Sequence, residues 1–595
     1  MDSALNLQIE YLLQGYREAR LSPAELVQDI LNRSEALDAH RIFIHRLSRD
    51  DVARYLSALE GHSPSDRPLF GVPFVIKDNI DLAGVPTTAA CPDYAYVPKT
   101  SAPVVTQLLA AGAIPIGKAN LDQFATGLVG TRSPYGACRN SFKSDFVSGG
   151  SSSGSAVAVA MGLASFSLGT DTAGSGRVPA AFNNLIGLKP SLGRLSTRGV
   201  VPACRSLDCV SIFSLSANDA ARVLNVVDRF DPQDPFAQVT TDVPLSGRRF
   251  GIPKSSDLDF FGDKAYASLF AAAAPRLEAL GFEGVEVDIS PFLEAARLLY
   301  EGPWVAERFA AVGDFMRDHP RSLHPVTAEV ILGGERFSAI EAFEAGYKLK
   351  ALRRHCESVW SQVDVLLTPT AGTIFTIDEV EADPFRLNSA LGYYTNYMNL
   401  LDLAGVAVPG GFRADGLPFG VTLIAPRGAE RALLQVADGL HRALDAPVGA
   451  TRHRLLEART APMAARTNAL VQVAVCGAHM QGLELHYQLL ERGARLKERT
   501  VTAPRYRLYA LPGTPLRPGL VRVGDGGASL EIEVYSLPTE TLGGLLSGIP
   551  SPLGLGKVEL QSGDQVTGFV CEAYAADQAL DITHFGGWRA YLNSP

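Results

Sequence analysis

The chain has 595 residues, a formal net charge of −9, and 46% hydrophobic and 20% charged residues. That composition fits a folded protein and excludes disordered, collagen-like and coiled-coil chains. At roughly 100–200 residues per domain, the length allows about three to five domain-sized units.

An acidic balance argues against a nucleic-acid binder, whose footprint is basic. No run of about 18 uncharged apolar residues marks a membrane span. The N-terminus has no basic stretch followed by an apolar one, so no secretory signal is expected, and the chain reads as cytoplasmic. Seven scattered cysteines, none at CxxC spacing, read as reduced thiols in or near the core. Arg492, Arg495, Lys497 and Arg499, interrupted by Glu491 and Glu498, read as a solvated helix face.

Helices open the chain. Ser22-Pro23-Ala24-Glu25 offers an N-cap, a proline at the first helical position and a capping-box glutamate. Leu26, Ile30 and Leu31 follow at helical spacing. From Pro68 short apolar runs at 73–76 and 113–116 alternate with helix-like stretches such as 104–111, the pattern of an α/β fold. Residues 151–164 are small and apolar, as a closely packed buried helix would be. Strands are expected within 245–253, 364–367 and 416–426. Residues 457–468 turn small and polar and read as a linker. After them, runs at 470–475, 529–535 and 568–574 between Gly/Pro turns predict a strand-rich α+β domain of about 125 residues.

Two Gly/Ser clusters hold the chemistry, at 149–155 (GGSSSGS) and 169–177 (GTDTAGSGR). Gly-rich loops bring backbone N–H groups close to a ligand and form anion-binding nests. A phosphate loop needs GxxxxGK[ST], but Gly154 is followed by Ser155 with no lysine. A flexible linker does not fit the apolar residues flanking both clusters. A serine nucleophile with an oxyanion hole does. Its usual base is histidine, yet none of the 11 histidines lies between His62 and His319. The nearer basic group is Lys77, which follows an apolar run. Desolvation there lowers a lysine pKa and favours the neutral amine a base requires. The alternative is a surface pair with Asp78 or Asp81.

The ordered set Gly71-Val72-Pro73 through Lys77-Asp78, Gly149-Gly150-Ser151-Ser152, 169–177, Gly187-Leu188-Lys189-Pro190 and Gly416-Leu417-Pro418 resembles the amidase signature family over roughly residues 20–445. The resemblance implies a core with a mixed central sheet flanked by helices over 1–456, with N-terminal helices in 1–60. A linker at 457–468 and a C-terminal domain at 469–595 follow. Ser175 is then the implied nucleophile, Ser151 a bridging serine after a cis Gly150–Ser151 peptide, and Lys77 the base. Backbone N–H groups of Thr172, Ala173, Gly174 and Ser175 are the implied oxyanion hole, with Ala173 where the family commonly has glycine. Asp171 and Arg177 either shape this loop or form an ordinary ion pair. No cofactor and no metal are implied.

Within the family, Asn120-Leu121-Asp122-Gln123-Phe124-Ala125-Thr126-Gly127 departs from the tRNA amidotransferase pattern, whose acidic residue is here Gln123. Residues 120–136 and 300–308 (YEGPWVAER) resemble the allophanate hydrolase branch instead. That branch implies a small anionic substrate, allophanate, held by Arg308, Tyr300 and Gly127. A guanidinium grips a carboxylate through two parallel hydrogen bonds, and a phenol adds a third. Tyr300 and Arg308 meet one ligand only where the helix breaks between them, and Gly302-Pro303 supplies a break. On the residues alone, Arg308 would pair with Glu301 or Glu307.

Stretches 476–482, 502–509, 549–556 and 585–589 resemble the extra domain of that branch, which is similar to the γ-glutamyl cyclotransferase fold and linked to decarboxylation of N-carboxycarbamate. His479 is the candidate acid or base there, ahead of His486 and Arg505. A turn histidine in a non-catalytic interaction module is the alternative. The implied functional partner is a biotin-dependent urea carboxylase, with no nucleic acid and no membrane, and a homodimer is left open. The competing reading is a general amidase for neutral amides with a structural last domain.

Overall fold

The computed structural model describes residues 5–457, 470–492, 494–513 and 516–594. The chain divides into two compact units, the first comprising residues 5–238 and 242–457 and the second residues 470–594 together with 239–241. The linker expected at 457–468 lies, apart from Glu457, outside the described residues.

One mixed sheet of eleven strands forms the first unit. In chain order they are β1 (Phe43–Arg46), β2 (Pro73–Lys77), β3 (Ile114–Ala119), β4 (Phe166–Asp171), β5 (Ile186–Lys189), β6 (Cys209–Ser214), β7 (Arg249–Pro253), β8 (Glu283–Val287), β9 (Val365–Pro369), β10 (Leu403–Phe412) and β11 (Pro418–Pro426). Across the sheet they run β1-β3-β2-β4-β6-β5-β10-β11-β9-β7-β8. β2 lies parallel between β3 and β4, and every residue of β2 to β6 is buried. Strands covered on both faces must be apolar throughout, which is why they read as unbroken runs rather than alternations. Helix Ser153–Ala160 is buried at all positions, as its small residues require, and packs on β2 and β4.

Two local readings change. Helix Pro23–Ala36 starts with its proline where expected, but the Ser22 side chain makes no cap hydrogen bond. The 1–60 segment is not helical throughout, because β1 leaves it to pair antiparallel with β3 at the sheet edge.

The second unit contains β12 (Leu470–Val475), β13 (Arg495–Val501), β14 (Tyr506–Leu511), β15 (Arg517–Arg522), β16 (Glu531–Pro538), β17 (Leu553–Glu559), β18 (Gln565–Cys571) and β19 (Leu580–Asp581). They form a five-stranded sheet, β13-β16-β12-β18-β17, and a three-stranded sheet, β15-β14-β19. β12 alternates between two cores, with Val473 and Val475 on one side and Ala474 on the other. The cluster read as a helix face is an edge strand: Arg495, Lys497 and Arg499 belong to β13, exposed over most of its length. Charge on an edge strand discourages pairing with another chain.

His441, on helix Glu430–Leu444, is buried, and neither ring nitrogen has a hydrogen-bond partner among the described residues. Burial pushes its pKa down from 6.5 to about 4. The folded pKa is depressed, so the stability that neutral His441 retains is complete above pH 6.5 and is lost as pH falls toward about 4. The loss approaches about 3 kcal/mol at its limit. His441→Leu is expected to lose less stability than the parent between about pH 7.5 and about pH 4.5, by about 2–3 kcal/mol in urea unfolding. Equal losses in both proteins would show that His441 is not the acid-labile group.

Candidate active site

β2 ends at Lys77, the neighbouring parallel strand β4 carries Thr170, and the turn after β4 carries Ser175. Ser151 lies just ahead of helix Ser153–Ala160, after a cis Gly150–Ser151 peptide. The structure brings the three expected groups into one chain. Lys77 Nζ donates to Ser151 Oγ at 2.8 Å, and Ser151 Oγ to Ser175 Oγ at 3.0 Å. Lys77 Nζ also donates to Thr170 Oγ1 at 2.7 Å.

Lys77 does not pair with Asp78 or Asp81. Asp78 forms a buried ion pair with Lys118 at 3.0 Å, and Asp81 accepts hydrogen bonds from Thr87 and Tyr96. Desolvation therefore drives the Lys77 amine down to about 7, opposed by the carboxylates of Asp122, Asp208 and Asp171. A lysine so placed is partly neutral near pH 7 and able to accept a proton.

The turn after β4 is shaped by Asp171 and Arg177, both fully buried. Arg177 Nη2 donates to Asp171 Oδ1 at 2.8 Å and Nε to Oδ2 at 2.9 Å. Burial alone would raise the Asp171 pKa, but Arg177 outweighs it and holds the carboxyl below its ordinary value. The same carboxylate accepts the N–H groups of Gly174 and Gly176. This corrects the expected oxyanion donors: the Gly174 N–H is committed to Asp171 at 2.9 Å. Gly174 serves conformation instead, at φ +134°, where a Cβ would collide with Thr395 Oγ1. The N–H groups of Thr172, Ala173 and Ser175 have no hydrogen-bond acceptor among the described residues.

Residues with no signal in the sequence join this turn to the expected anion site. Thr172 Oγ1 donates to buried Asp208 at 2.5 Å, and Asp208 also accepts from Ala203 and Cys204 backbone N–H groups. Ser206 then donates twice to Glu307, and Cys204 Sγ reaches the Trp304 carbonyl. Segment 203–208 thus ties the turn to the start of helix Trp304–Asp318, which carries Arg308.

The helix breaks at Gly302-Pro303 as expected, and the break brings Arg308 Cζ to 5.5 Å from the Tyr300 ring centroid. Arg308 pairs with neither Glu301 nor Glu307. It is 1% exposed, and among the described residues no carboxylate lies within salt-bridge distance. Its Nη1 donates to Thr126 Oγ1 at 3.2 Å, and its Nε has no partner among the described residues. A buried cation without a counter-ion is costly unless a ligand supplies one.

Gly127, at φ +155°, follows Thr126, and a Cβ there would sit 2.7 Å from Asp122 Oδ2. Asp122 holds the adjoining turn through the N–H groups of Val129, Gly130 and Arg132. Gln123 has a structural reason to be an amide. Its Nε2 donates to the Ala90 and Ser322 carbonyls while its Oε1 accepts the His324 N–H, and a carboxylate could not make the first two bonds.

In the second unit, His479 lines a cavity of about 380 Å³ with Gln488, Arg517, Cys476 and Phe569. Its Nε2 lies 3.1 Å from Gln488 Oε1, and its ring stacks on Phe569 at 4.9 Å. Burial lowers its pKa. His486 packs against Tyr535, and Arg505 is an exposed partner of Glu559, so neither lines that cavity.

A lysine–serine–serine chain beside a turn with spare backbone donors has the parts of a lysine-assisted serine hydrolase. Residues 25–434 match the Amidase family, and residues 471–593 match the Allophanate hydrolase C-terminal domain. The chain belongs to the amidase family. A solved allophanate hydrolase from Kluyveromyces lactis is 41% identical, with 99% of each chain covered and a TM-score of 0.73. Urea amidolyase of Saccharomyces cerevisiae is 43% identical over 587 residues, covering 95% of this chain and 32% of that protein. A glutamyl-tRNA(Gln) amidotransferase subunit of Lacticaseibacillus paracasei is 33% identical over 72% of this chain and 95% of its own. The chain therefore spans about a third of the length of the urea amidolyases it matches.

The Lys77 environment fixes the sign of a pH dependence. Protonated Lys77 cannot take a proton from Ser151, so kcat/KM is expected to rise tenfold per pH unit up to about 7 and to level off above it. A profile that stays flat through that range would remove Lys77 as the base.

Proposed function

We propose that the chain hydrolyses allophanate, with Ser175 as nucleophile, Ser151 as proton relay and Lys77 as base. One observation carries the reading: Arg308 is a buried guanidinium with no carboxylate partner among the described residues, linked through 203–208 to the turn that bears Ser175. Allophanate brings the missing carboxylate and an amide on one small molecule. Its carboxylate docks on Arg308, beside Tyr300 and the Thr126–Gly127 segment. Neutral Lys77 takes the Ser151 proton while Ser151 takes that of Ser175, and Ser175 Oγ attacks the terminal carbamoyl carbon. The oxyanion rests on the N–H groups of Thr172, Ala173 and Ser175. Lys77 returns its proton through Ser151 to the leaving nitrogen, and ammonia departs. Water then attacks the acyl-enzyme by the same relay and releases N-carboxycarbamate. Lys77 neutralises at ordinary pH, so the cycle needs no histidine.

Ammonia release from allophanate tests this. Ser175→Ala is expected to abolish it, and Arg308→Ala to lower kcat/KM about 100-fold, mainly through KM. At a pH well above the Lys77 limb, where the amine is neutral in both proteins, hydrolysis of a neutral amide such as acetamide is expected to be little changed by Arg308→Ala. Retained activity in Ser175→Ala would overturn the nucleophile. A preference for acetamide over allophanate would favour a general amidase.

The second unit is proposed to assist loss of CO₂ from N-carboxycarbamate, with His479 as the proton-handling group. The support is the cavity that gathers His479, Gln488 and Arg517. In full-length His479→Ala given ¹³C-labelled allophanate, the first ammonia is expected to appear normally while N-carboxycarbamate persists in the NMR spectrum. Identical time courses in parent and variant would leave the unit as an interaction module. A biotin-dependent urea carboxylase is the proposed functional partner, in a cytoplasmic setting. It is supported by the match to one third of proteins named urea amidolyase.

A further inference from the structure

The segment beside Arg308 leaves one backbone donor over. The Thr126 N–H donates to the Gln123 carbonyl at 3.1 Å, and the Leu128 N–H to Asn388 Oδ1 at 2.8 Å. The Val129 and Gly130 N–H groups donate to Asp122 Oδ2 at 3.2 and 3.0 Å. The Gly127 N–H between them has no acceptor among the described residues, although Gly127 is buried. Buried backbone N–H groups are nearly always paired, so this one points to a ligand. It follows Thr126, whose hydroxyl accepts from Arg308, and the Nε of Arg308 is itself without a partner among the described residues.

Arg132 sets which way that donor faces. It is 3% exposed, and both its terminal nitrogens donate to main-chain carbonyls, Nη1 to Thr126 at 3.0 Å and Nη2 to Pro384 at 2.8 Å. Its own backbone is fixed on both sides. The Arg132 N–H donates to Asp122 Oδ1 at 2.9 Å, and its carbonyl accepts the Gln123 N–H at 2.7 Å. In a trans peptide the C=O and the next N–H share a plane and point in opposite directions. Turning the Thr126 oxygen onto Arg132 therefore turns the Gly127 N–H away from it. A peptide that ends in glycine flips at little steric cost, and the flipped form would offer a carbonyl oxygen to an anion instead of an N–H. The clamp also supplies charge. Arg132 and Arg308 are close enough to repel one another inside the protein, and an anion bound beside Thr126 is attracted by both.

We propose that Arg132 is a positioning residue for the substrate carboxylate: by clamping the Thr126 carbonyl it holds the Gly127 N–H as a donor to the same carboxylate that Arg308 grips. The proposal rests on the reading of Arg308 as the anchor of that carboxylate. Arg132 itself touches no substrate atom and acts through the peptide. A guanidinium suits the task because it holds two carbonyls at a fixed spacing, whereas an ammonium at the same place reaches one.

Steady-state kinetics of the full chain test it, at a pH well above the Lys77 limb so that the base is neutral in every variant. Arg132→Met is expected to raise KM for allophanate about 10-fold to 30-fold while kcat stays within about threefold, as for loss of one hydrogen bond to a charged group. Arg132→Lys keeps the charge and one carbonyl contact, and its KM is expected to lie about threefold to eightfold above the parent's. For acetamide, which carries no carboxylate, kcat/KM is expected to fall less than about threefold in both variants. In an Arg308→Ala background Arg132→Met is expected to raise KM by less than a further threefold or so, because the two residues serve one carboxylate. A parent-like KM in Arg132→Met overturns the proposal, or in Arg132→Lys should the Met variant not fold. Equal losses on allophanate and acetamide overturn it as well, since a purely structural role would produce them. An unchanged KM in Arg308→Ala removes the anchor and the proposal with it, whereas a raised KM there beside a parent-like Arg132→Met removes the proposal alone.

Discussion

The desolvation of one lysine organises the first unit. An amine at the end of a strand covered on both faces loses its hydration, and no carboxylate contacts it to restore the charged form. The buried carboxylates that stabilise the ammonium act from a distance, and each is engaged elsewhere: Asp171 with Arg177, Asp122 with three backbone N–H groups, Asp208 with Thr172. Their field keeps the amine near 7, where it exchanges protons at ordinary pH. Asp78, next to it in the chain, takes no part in that field and forms its ion pair with Lys118 instead. Two neighbouring buried lysines thus have opposite tasks, one paired and one held next to serine and threonine hydroxyls.

What the sequence shows of this site and what it hides divide along a physical line. The glycine-rich clusters, the apolar run before Lys77 and the break at Gly302-Pro303 are local features, and local features are legible. The ties that make the groups one site span the chain: Thr172 to Asp208, Ser206 to Glu307 a hundred residues on, Gln123 to Ser322 and His324. No spacing rule reaches such pairs. Thr170 sits inside a visible cluster, yet its role as second acceptor for Lys77 depends on β2 and β4 being neighbours. Gln123 is visible as a departure from an acidic position, but its reason lies in two carbonyls that only the fold brings to it.

The charged stretch before β14 shows how a local pattern fails. Arg492, Arg495 and Arg499 are spaced three and four apart, which fits a helix face, while Arg495, Lys497 and Arg499 alternate, which fits a strand. Local sequence offers both periods. The outcome depends on β16, which supplies a ladder for β13 and leaves its other side open as the sheet edge. The Gly174 N–H is a similar case. A glycine-rich turn advertises many donors, but one carboxylate inside the turn consumes two of them to hold its shape. The number of glycines therefore overstates the number of donors left for a ligand.

A net charge of −9 sits uneasily with an anionic substrate if charge is counted over the whole chain. The difficulty dissolves once burial is considered. At ordinary ionic strength surface carboxylates are screened beyond about 8–10 Å, whereas a guanidinium in a low-dielectric interior keeps most of its field. Arg308 is such a group, its ring contact with Tyr300 adding polarisable surface but no countercharge. Its field also reaches Lys77 and lowers the affinity of that amine for a proton. A bound carboxylate on Arg308 would cancel that effect and raise the Lys77 pKa in the complex. The proposed anion site and the proposed base are in this way electrostatically coupled. The pH limb of kcat, which reports the complex, should then lie above that of kcat/KM, which reports the free enzyme.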